Sequence, residues 1–133
     1  MAEGYARHLA TTRGLPLEVA SGGVLGIVGR RPDPLAVRVM GEVGVDISDL
    51  RSSGLTPELI DWADHVLVME LRHQMHLHGQ FPACDGKVLL LGSFGGASEV
   101  PDPIGGWRWR FRRTRELLVR SIDSFVAQLP PAG

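Results

Sequence analysis

Cysteine occurs once in the 133 residues, at Cys84, so the chain can neither close an internal disulfide nor assemble a cysteine-based zinc site. Charge of one sign is also lacking. Lys plus Arg is 14 against 15 for Asp plus Glu, a net charge of −1, which sets aside long-range attraction to nucleic acid or acidic lipid as the main theme. Long apolar runs are absent too. Stretches such as residues 88–91 fall far short of the ~20 residues a membrane helix needs, so no insertion into a membrane is expected. No charged-then-apolar leader opens the chain, which together with cysteine usage reads as a soluble, cytoplasmic protein. Repeats, low-complexity tracts and linkers are missing as well, and with 44% hydrophobic residues the expectation is one domain over residues 1–129, followed by a frayed tail at 130–133.

Hydrophobic spacing supplies the elements. Tyr5, Leu9 and the intervening alanines suit a helix from the first residues to about Arg13, stopped by Gly14 and Pro16. Residues 17–21 alternate briefly and run into Gly22-Gly23, which reads as a strand and turn. A glycine-rich loop leads to Pro32-Asp33-Pro34, where Asp33 can cap a helix carried by Leu35, Val39, Met40 and Val43. Thr56 and Pro57 open another helix through Leu59, Ile60 and Ala63. Residues 65–70 and 87–92 are nearly continuous apolar runs, as in parallel strands covered on both faces. From Phe111 onward, Leu118, Ile122, Phe125 and Leu129 mark a long amphipathic helix. The alternation predicts a three-layer α/β/α domain with a parallel sheet, of which three strands are countable and the opening helix has neither a cap nor a strand feeding it.

Four patches occur in order: Met1-Ala2-Glu3 opening a helix, Ser21-Gly22-Gly23 closing a strand, Val68-Met69-Glu70 with Arg72-His73, and Val100-Pro101-Asp102-Pro103. Together they resemble the low-molecular-weight protein tyrosine phosphatases. Residues 28–34 and 69–73 are most similar to the bacterial branch associated with exopolysaccharide export. The resemblance implies a four-stranded parallel sheet whose first strand runs into a phosphate-cradling loop bearing a cysteine and, six positions later, an arginine. In such a loop backbone N–H groups and the arginine hold phosphoryl oxygens while the thiolate attacks phosphorus. A carboxylic acid protonates the leaving oxygen and then helps water hydrolyse the cysteinyl-phosphate. The family is free of metal and cofactor. Its Met-Ala-Glu segment follows the cysteine loop directly, so the expectation is that the first strand and the nucleophile are missing from these 133 residues.

Asp102 matches the family's acid and is the catalytic candidate; Pro-Asp-Pro alone would read as a turn, and Asp33, with the same neighbours, reads as a cap. Cys84 does not fit the phosphatase loop, because Leu90 stands six positions on and Asp85 opposes thiolate formation. Ser21 corresponds to a serine that braces the phosphate loop, the alternative being a plain turn residue. Two departures stand out. Leu50 replaces a histidine of the bracing network, and Ile104 replaces the aromatic residue that walls the phosphotyrosine site. Ile104 and Ile27 are the candidate substrate-lining residues, although simple packing is the commoner role for an isoleucine such as Ile27. His73, His76 and His78 have metal-like spacing but no supporting ligand, and a solvated helix-loop cluster is the favoured reading. Residues 107–113 interleave Trp and Arg; a helix start with Phe111 buried is favoured over a nucleic-acid grip, with docking of an acidic kinase tail left open.

The leading functional expectation is a phosphotyrosine phosphatase acting on a phosphotyrosine protein, with these residues inactive by themselves. The alternative is a non-catalytic pseudophosphatase that binds a bacterial tyrosine kinase or a polysaccharide export protein, with a homodimer or partner strand filling the gap in the sheet. An arsenate reductase would need redox cysteines that the chain lacks.

Overall fold

The computed structural model describes residues 1–84 and 86–129. The expected frayed tail at 130–133 and the influence of Asp85 on Cys84 both lie outside the described residues. Helix α1 is Ala2–Thr12, with Met1 at the cap position making no side-chain cap bond. Helix α2, Pro34–Gly41, begins where Asp33 accepts the Leu35 N–H at 2.8 Å; α3, Pro57–Trp62, begins where the Thr56 hydroxyl accepts the Leu59 N–H at 3.1 Å. Both starts follow from an oxygen-bearing cap before a proline, which loses nothing at the first helical position.

Strands β1 (Val66–Val68) and β2 (Val88–Leu90) pair in parallel, Val66 opposite Val88 and Val68 opposite Leu90. Helix α4, Leu71–Gln80, and a 3-10 turn, Pro82–Cys84, connect them; a second 3-10 turn, Leu91–Gly95, leaves β2, and α5 is Arg108–Ala127. The expectation of strands covered on both faces holds for β1; in β2 it fails on one face, where Leu89 is exposed and joins neither core while Val88 and Leu90 pack on the other. Val66 and Val68 point toward Ile60 of α3, Leu77 of α4 and Cys84, whereas Leu67 packs with Leu9, Met40, Phe111 and Leu118 from α1, α2 and α5. Two apolar cores thus lie on opposite faces of one sheet, giving three layers, α/β/α. No described helix is long and apolar enough to cross a membrane.

The strand expected at residues 17–21 is not formed, so the described sheet has two strands rather than three. A strand needs a partner ladder, and this segment has none; the chain regains pairing only at the isolated parallel bridge between Gly23 and Gly54. Helix α5 starts three residues before Phe111, because Trp107 already accepts the N–H groups of Arg110 and Phe111. The histidine segment expected as part helix and part loop is helical through Gln80.

Helix α5 buries Phe111, Thr114, Leu118, Ser121 and Ile122. It approaches the second 3-10 turn so closely that a Cβ at Gly95 would collide with the Ser121 hydroxyl, whose oxygen is buried without a partner among the described residues. Gly95→Ala should therefore destabilise the protein by ~1–3 kcal/mol, read as a lower urea midpoint; an unchanged midpoint would refute the close contact. At the other edge, Glu42 joins α2 to α5 by accepting from Arg112 at 2.9 and 2.5 Å and from Arg115 at 2.8 Å. The Arg112 bonds foremost, aided by those of Arg115, hold the Glu42 carboxyl down to about 2 from its ordinary 4.5. A lowered carboxylate pKa adds stability that is present above 4.5 and lost as pH falls toward about 2. Glu42→Gln should accordingly be less stable than the parent at pH 6, and the two urea midpoints should converge near pH 2; parallel curves across that window would exclude the linkage.

Candidate active site

The loop after β1, the start of α1, the corner at 21–23, the loop at 30–33 and the segment 100–104 converge on a cleft of about 450 Å³. Its depth is apolar, reaching Ala36, Ile47, Leu50, Val100, Phe111 and Leu118. Its rim carries Arg30, Arg31, Arg51 and Arg72 beside Glu3, Asp33, Glu70 and Asp102. Asp102, Ile104 and Ser21 are brought together around this space; Ile27 is not among the lining residues and sits on the outer loop, 43% exposed.

Asp102 is held by its own loop. Pro101 and Pro103 fix the backbone on either side, and the Asp102 carboxylate accepts the Ile104 N–H at 3.0 Å. The Gly106 N–H closes a turn on the Pro103 carbonyl at 2.8 Å, with Gly105 between them at φ +83°, a conformation that favours glycine. The loop is anchored to the sheet by Val100 donating to Met69 at 2.8 Å and by the Leu71 N–H donating to Glu99 at 2.8 Å. An exposed carboxyl on a stiff loop beside a cleft can give or take a proton at a bound group. Arg72 lies near it, its guanidinium bonded to Glu70 at 3.0 Å; this bond chiefly raises the Arg72 pKa, with the charges of Asp102 and Glu99 adding to it. Ile104 stands 69% exposed at the mouth.

Ser21 is strapped from three sides. Its hydroxyl donates to the Glu3 carboxylate, Glu3 pairs with Arg7 at 2.9 Å, and Arg7 reaches the Val19 carbonyl at 2.8 Å. The Ser53 hydroxyl donates to the Ser21 carbonyl at 2.7 Å, and the Gly23 N–H donates to the Ser53 carbonyl at 2.7 Å. Side-chain bonds therefore reinforce a backbone bridge only one residue long. Gly22 sits close to the opposing chain: a Cβ there would lie 3.2 Å from the Gly54 carbonyl oxygen and would push the end of the Leu55 side chain aside. Leu50 lines the cleft and contributes no hydrogen-bonding side chain.

Sequence reasoning did not foresee the roles of Glu3 and Ser53 or the arginine rim. Arg30 and Arg31 follow a glycine loop, and only the pairing of that loop with residue 52 brings them to the cleft: Ser52 and Arg30 exchange bonds at 2.9 Å. Neither guanidinium has a partner among the described residues, which suits a site for an anion. Asp33 lines the cleft but is occupied as the α2 cap. Cys84 is fully buried in the core below α4, its thiol 3.8 Å from the Leu77 carbonyl, and far in character from an accessible nucleophile. His73 lies at the rim, 3.9 Å from Glu70, whereas His76 and His78 are exposed; among the described residues no group of three metal-capable side chains forms.

The layers and this cleft, at the carboxyl end of β1, define a three-layer α/β/α protein in which an acid, Asp102, and two arginines without partners among the described residues, Arg30 and Arg31, share the rim of one space. Residues 1–131 match the family model of the low molecular weight phosphotyrosine protein phosphatases, and the chain belongs to that family. It is 32% identical over 117 residues to the probable low molecular weight protein-tyrosine-phosphatase EpsP of Ralstonia nicotianae, covering 88% of this chain and 80% of that protein. It is 35% identical over 127 residues to the protein-arginine-phosphatase of Geobacillus stearothermophilus, covering 93% and 85%. The crystal structure of the low molecular weight protein tyrosine phosphatase from T. tengcongensis superposes with a TM-score of 0.90 at 33% identity, covering 96% of this chain and 88% of that one.

Ser21→Ala should loosen the corner. Exchange of the Gly23 amide is expected to quicken about fivefold, the equivalent of one lost hydrogen bond of ~1 kcal/mol, with the β1 amides unchanged; equal quickening everywhere would mean that the strap is not local.

Proposed function

We propose that these residues, one domain over 1–129, form the acid-bearing scaffold of a cytoplasmic protein-tyrosine phosphatase of the exopolysaccharide-associated branch, with Asp102 as its general acid. The observation that carries the reading is the Asp102 loop, tied to the end of β1 and facing a cleft on whose rim the Arg30 and Arg31 guanidiniums have no partner among the described residues. In this reading a thiolate displaces the tyrosyl oxygen from phosphorus; the electron pair leaves on that oxygen, and Asp102 supplies the proton. Water then attacks the cysteinyl-phosphate, giving its proton to the Asp102 carboxylate and releasing inorganic phosphate and the thiolate. Ser21 steadies the corner beside the phosphate, and Ile104 flanks the incoming ring.

The thiolate is not supplied from within these residues: the sole cysteine, Cys84, is buried and has Leu90 six positions later. The apolar depth of the cleft, bounded by Ile47, Met69, Val100 and Phe111, suits an extended apolar segment that carries the cysteine and arginine loop. The substrate is a phosphotyrosine protein, with a bacterial tyrosine kinase as the natural partner. The second reading, a pseudophosphatase that binds such a kinase or dimerises through the cleft, is favoured by Leu50 and Ile104, two apolar residues where the family places a brace and a ring.

The 133-residue chain should not hydrolyse phenyl phosphate or p-nitrophenyl phosphate. Preceded by a strand and cysteine loop of the family, it should hydrolyse both. Asp102→Ala should then lower kcat for phenyl phosphate by about 10²–10⁴-fold, and by much less for p-nitrophenyl phosphate, whose leaving oxygen scarcely needs a proton. An equal loss on the two esters would remove Asp102 from the acid role, and failure of the extended chain to turn over either would favour the pseudophosphatase.

A further inference from the structure

Beyond the cleft, the chain exposes a surface that neither the core nor the proposed chemistry uses. Trp107 and Trp109 are 79% and 53% exposed, and with Arg108 and Arg112 they line one shallow depression at the start of α5. Arg110 and Arg113 lie over the Trp109 ring at 5.8 and 6.0 Å from its centroid, within reach of cation–π attraction. Arg108, Arg110 and Arg113 are exposed and have no carboxylate within ion-pair distance among the described residues, and the first turn of α5 contains no acid. Like charges gathered without compensation cost stability, so their natural complement lies outside the chain.

We infer that this face docks an acidic polypeptide segment flanking the phosphorylated residue of the substrate protein, which rests on the phosphatase reading of the adjacent cleft. Charge complementarity supports that occupant, and the helix itself shows the geometry: Arg112, one turn beyond Arg108, grips the Glu42 carboxylate through two nitrogens at 2.9 and 2.5 Å. Arg108 offers the same fork to a carboxylate from another molecule. The indoles give apolar area for the chain between its acids, as aromatic and arginine residues do at the centres of protein interfaces. Continuity with the cleft runs through Ile104, three residues before Trp107, so a chain whose phosphorylated side chain enters the cleft passes next over the indoles. A single-stranded nucleic acid fits less well, because the net charge of −1 gives no extended positive track for its backbone.

The test is fluorescence anisotropy of the 133-residue chain with labelled peptides of roughly a dozen residues that share a central phosphotyrosine and differ in flanks, either Asp/Glu or Gly/Ser, alongside an unphosphorylated acidic peptide and a single-stranded oligonucleotide. Both acidic peptides should bind about tenfold or more tightly than the neutral one, and more weakly as salt rises from low to physiological levels. Arg108→Glu with Arg113→Glu, or Trp107→Ser with Trp109→Ser, should abolish that preference while leaving the thermal midpoint nearly unchanged, since all four side chains are exposed. Equal binding of acidic and neutral peptides, tighter binding of the oligonucleotide, or indifference to both double variants would overturn the docking surface. Hydrolysis of the small aryl phosphates, which do not extend to Trp107, tests the phosphatase reading separately, so either can fail without the other.

Discussion

Burial of one face of α5 is the constraint on which the rest of the molecule depends. Phe111, Leu118 and Ile122 fill the core between that helix, α1, α2 and the sheet, and every other element of this layer is located by contact with them. Polar bonds then fix the direction of each contact: Glu42 fastens α2 to Arg112 and Arg115, the Tyr5 hydroxyl donates to Asp123 at 2.7 Å, and Arg120 reaches the Gly95 carbonyl at 2.8 Å. Hydrophobic burial provides most of the free energy without direction, and the directed bonds choose one arrangement among many compact ones.

The cleft is a consequence of that packing. Its Asp102 loop spans the distance between Met69 at the end of β1 and Phe111 at the start of the buried face of α5, so both ends of the loop are pinned to the core. Opposite it, the 21–23 corner is held to α1 by the Ser21–Glu3 bond and to residues 53–55 by the Ser53 hydroxyl and a single backbone bridge. Carboxylates and arginines meet at the rim because five separate chain segments end there. Most of the carboxylates are already engaged, Glu3 by Ser21 and Arg7, Asp33 by Leu35 and Glu70 by Arg72, which leaves Arg30 and Arg31 as the groups available to an anion.

The exposed Trp and Arg face belongs to the same geometry. It begins where the Asp102 loop enters α5, three residues beyond Ile104 at the mouth of the cleft. The indoles occupy positions that a helix would usually give to small polar or acidic residues, and the core does not need them: Phe111 alone of the aromatic run is buried. A helix start with Phe111 buried and the arginines solvated describes this run as far as it goes, yet it gives no reason for two exposed indoles.

The sequence by itself determined the features that depend on near neighbours. Asp33 and Thr56 mark two helix starts because each cap bonds within three residues, the apolar runs around Val66 and Val88 become strands because their pattern suits burial, on two faces for the first and on one for the second, and the order of short motifs carries the family. Tertiary structure decided what depends on distant partners. Residues 17–21 have the composition of a strand but no ladder to join, Glu3 and Ser53 become braces only when α1 and residues 51–54 meet at Ser21, and Arg30 reaches the cleft only through Ser52. The physical reason is the same in each case: a cap or a helix turn closes over three or four residues, whereas a strand, a brace or a charged rim exists only when the chain folds back on itself.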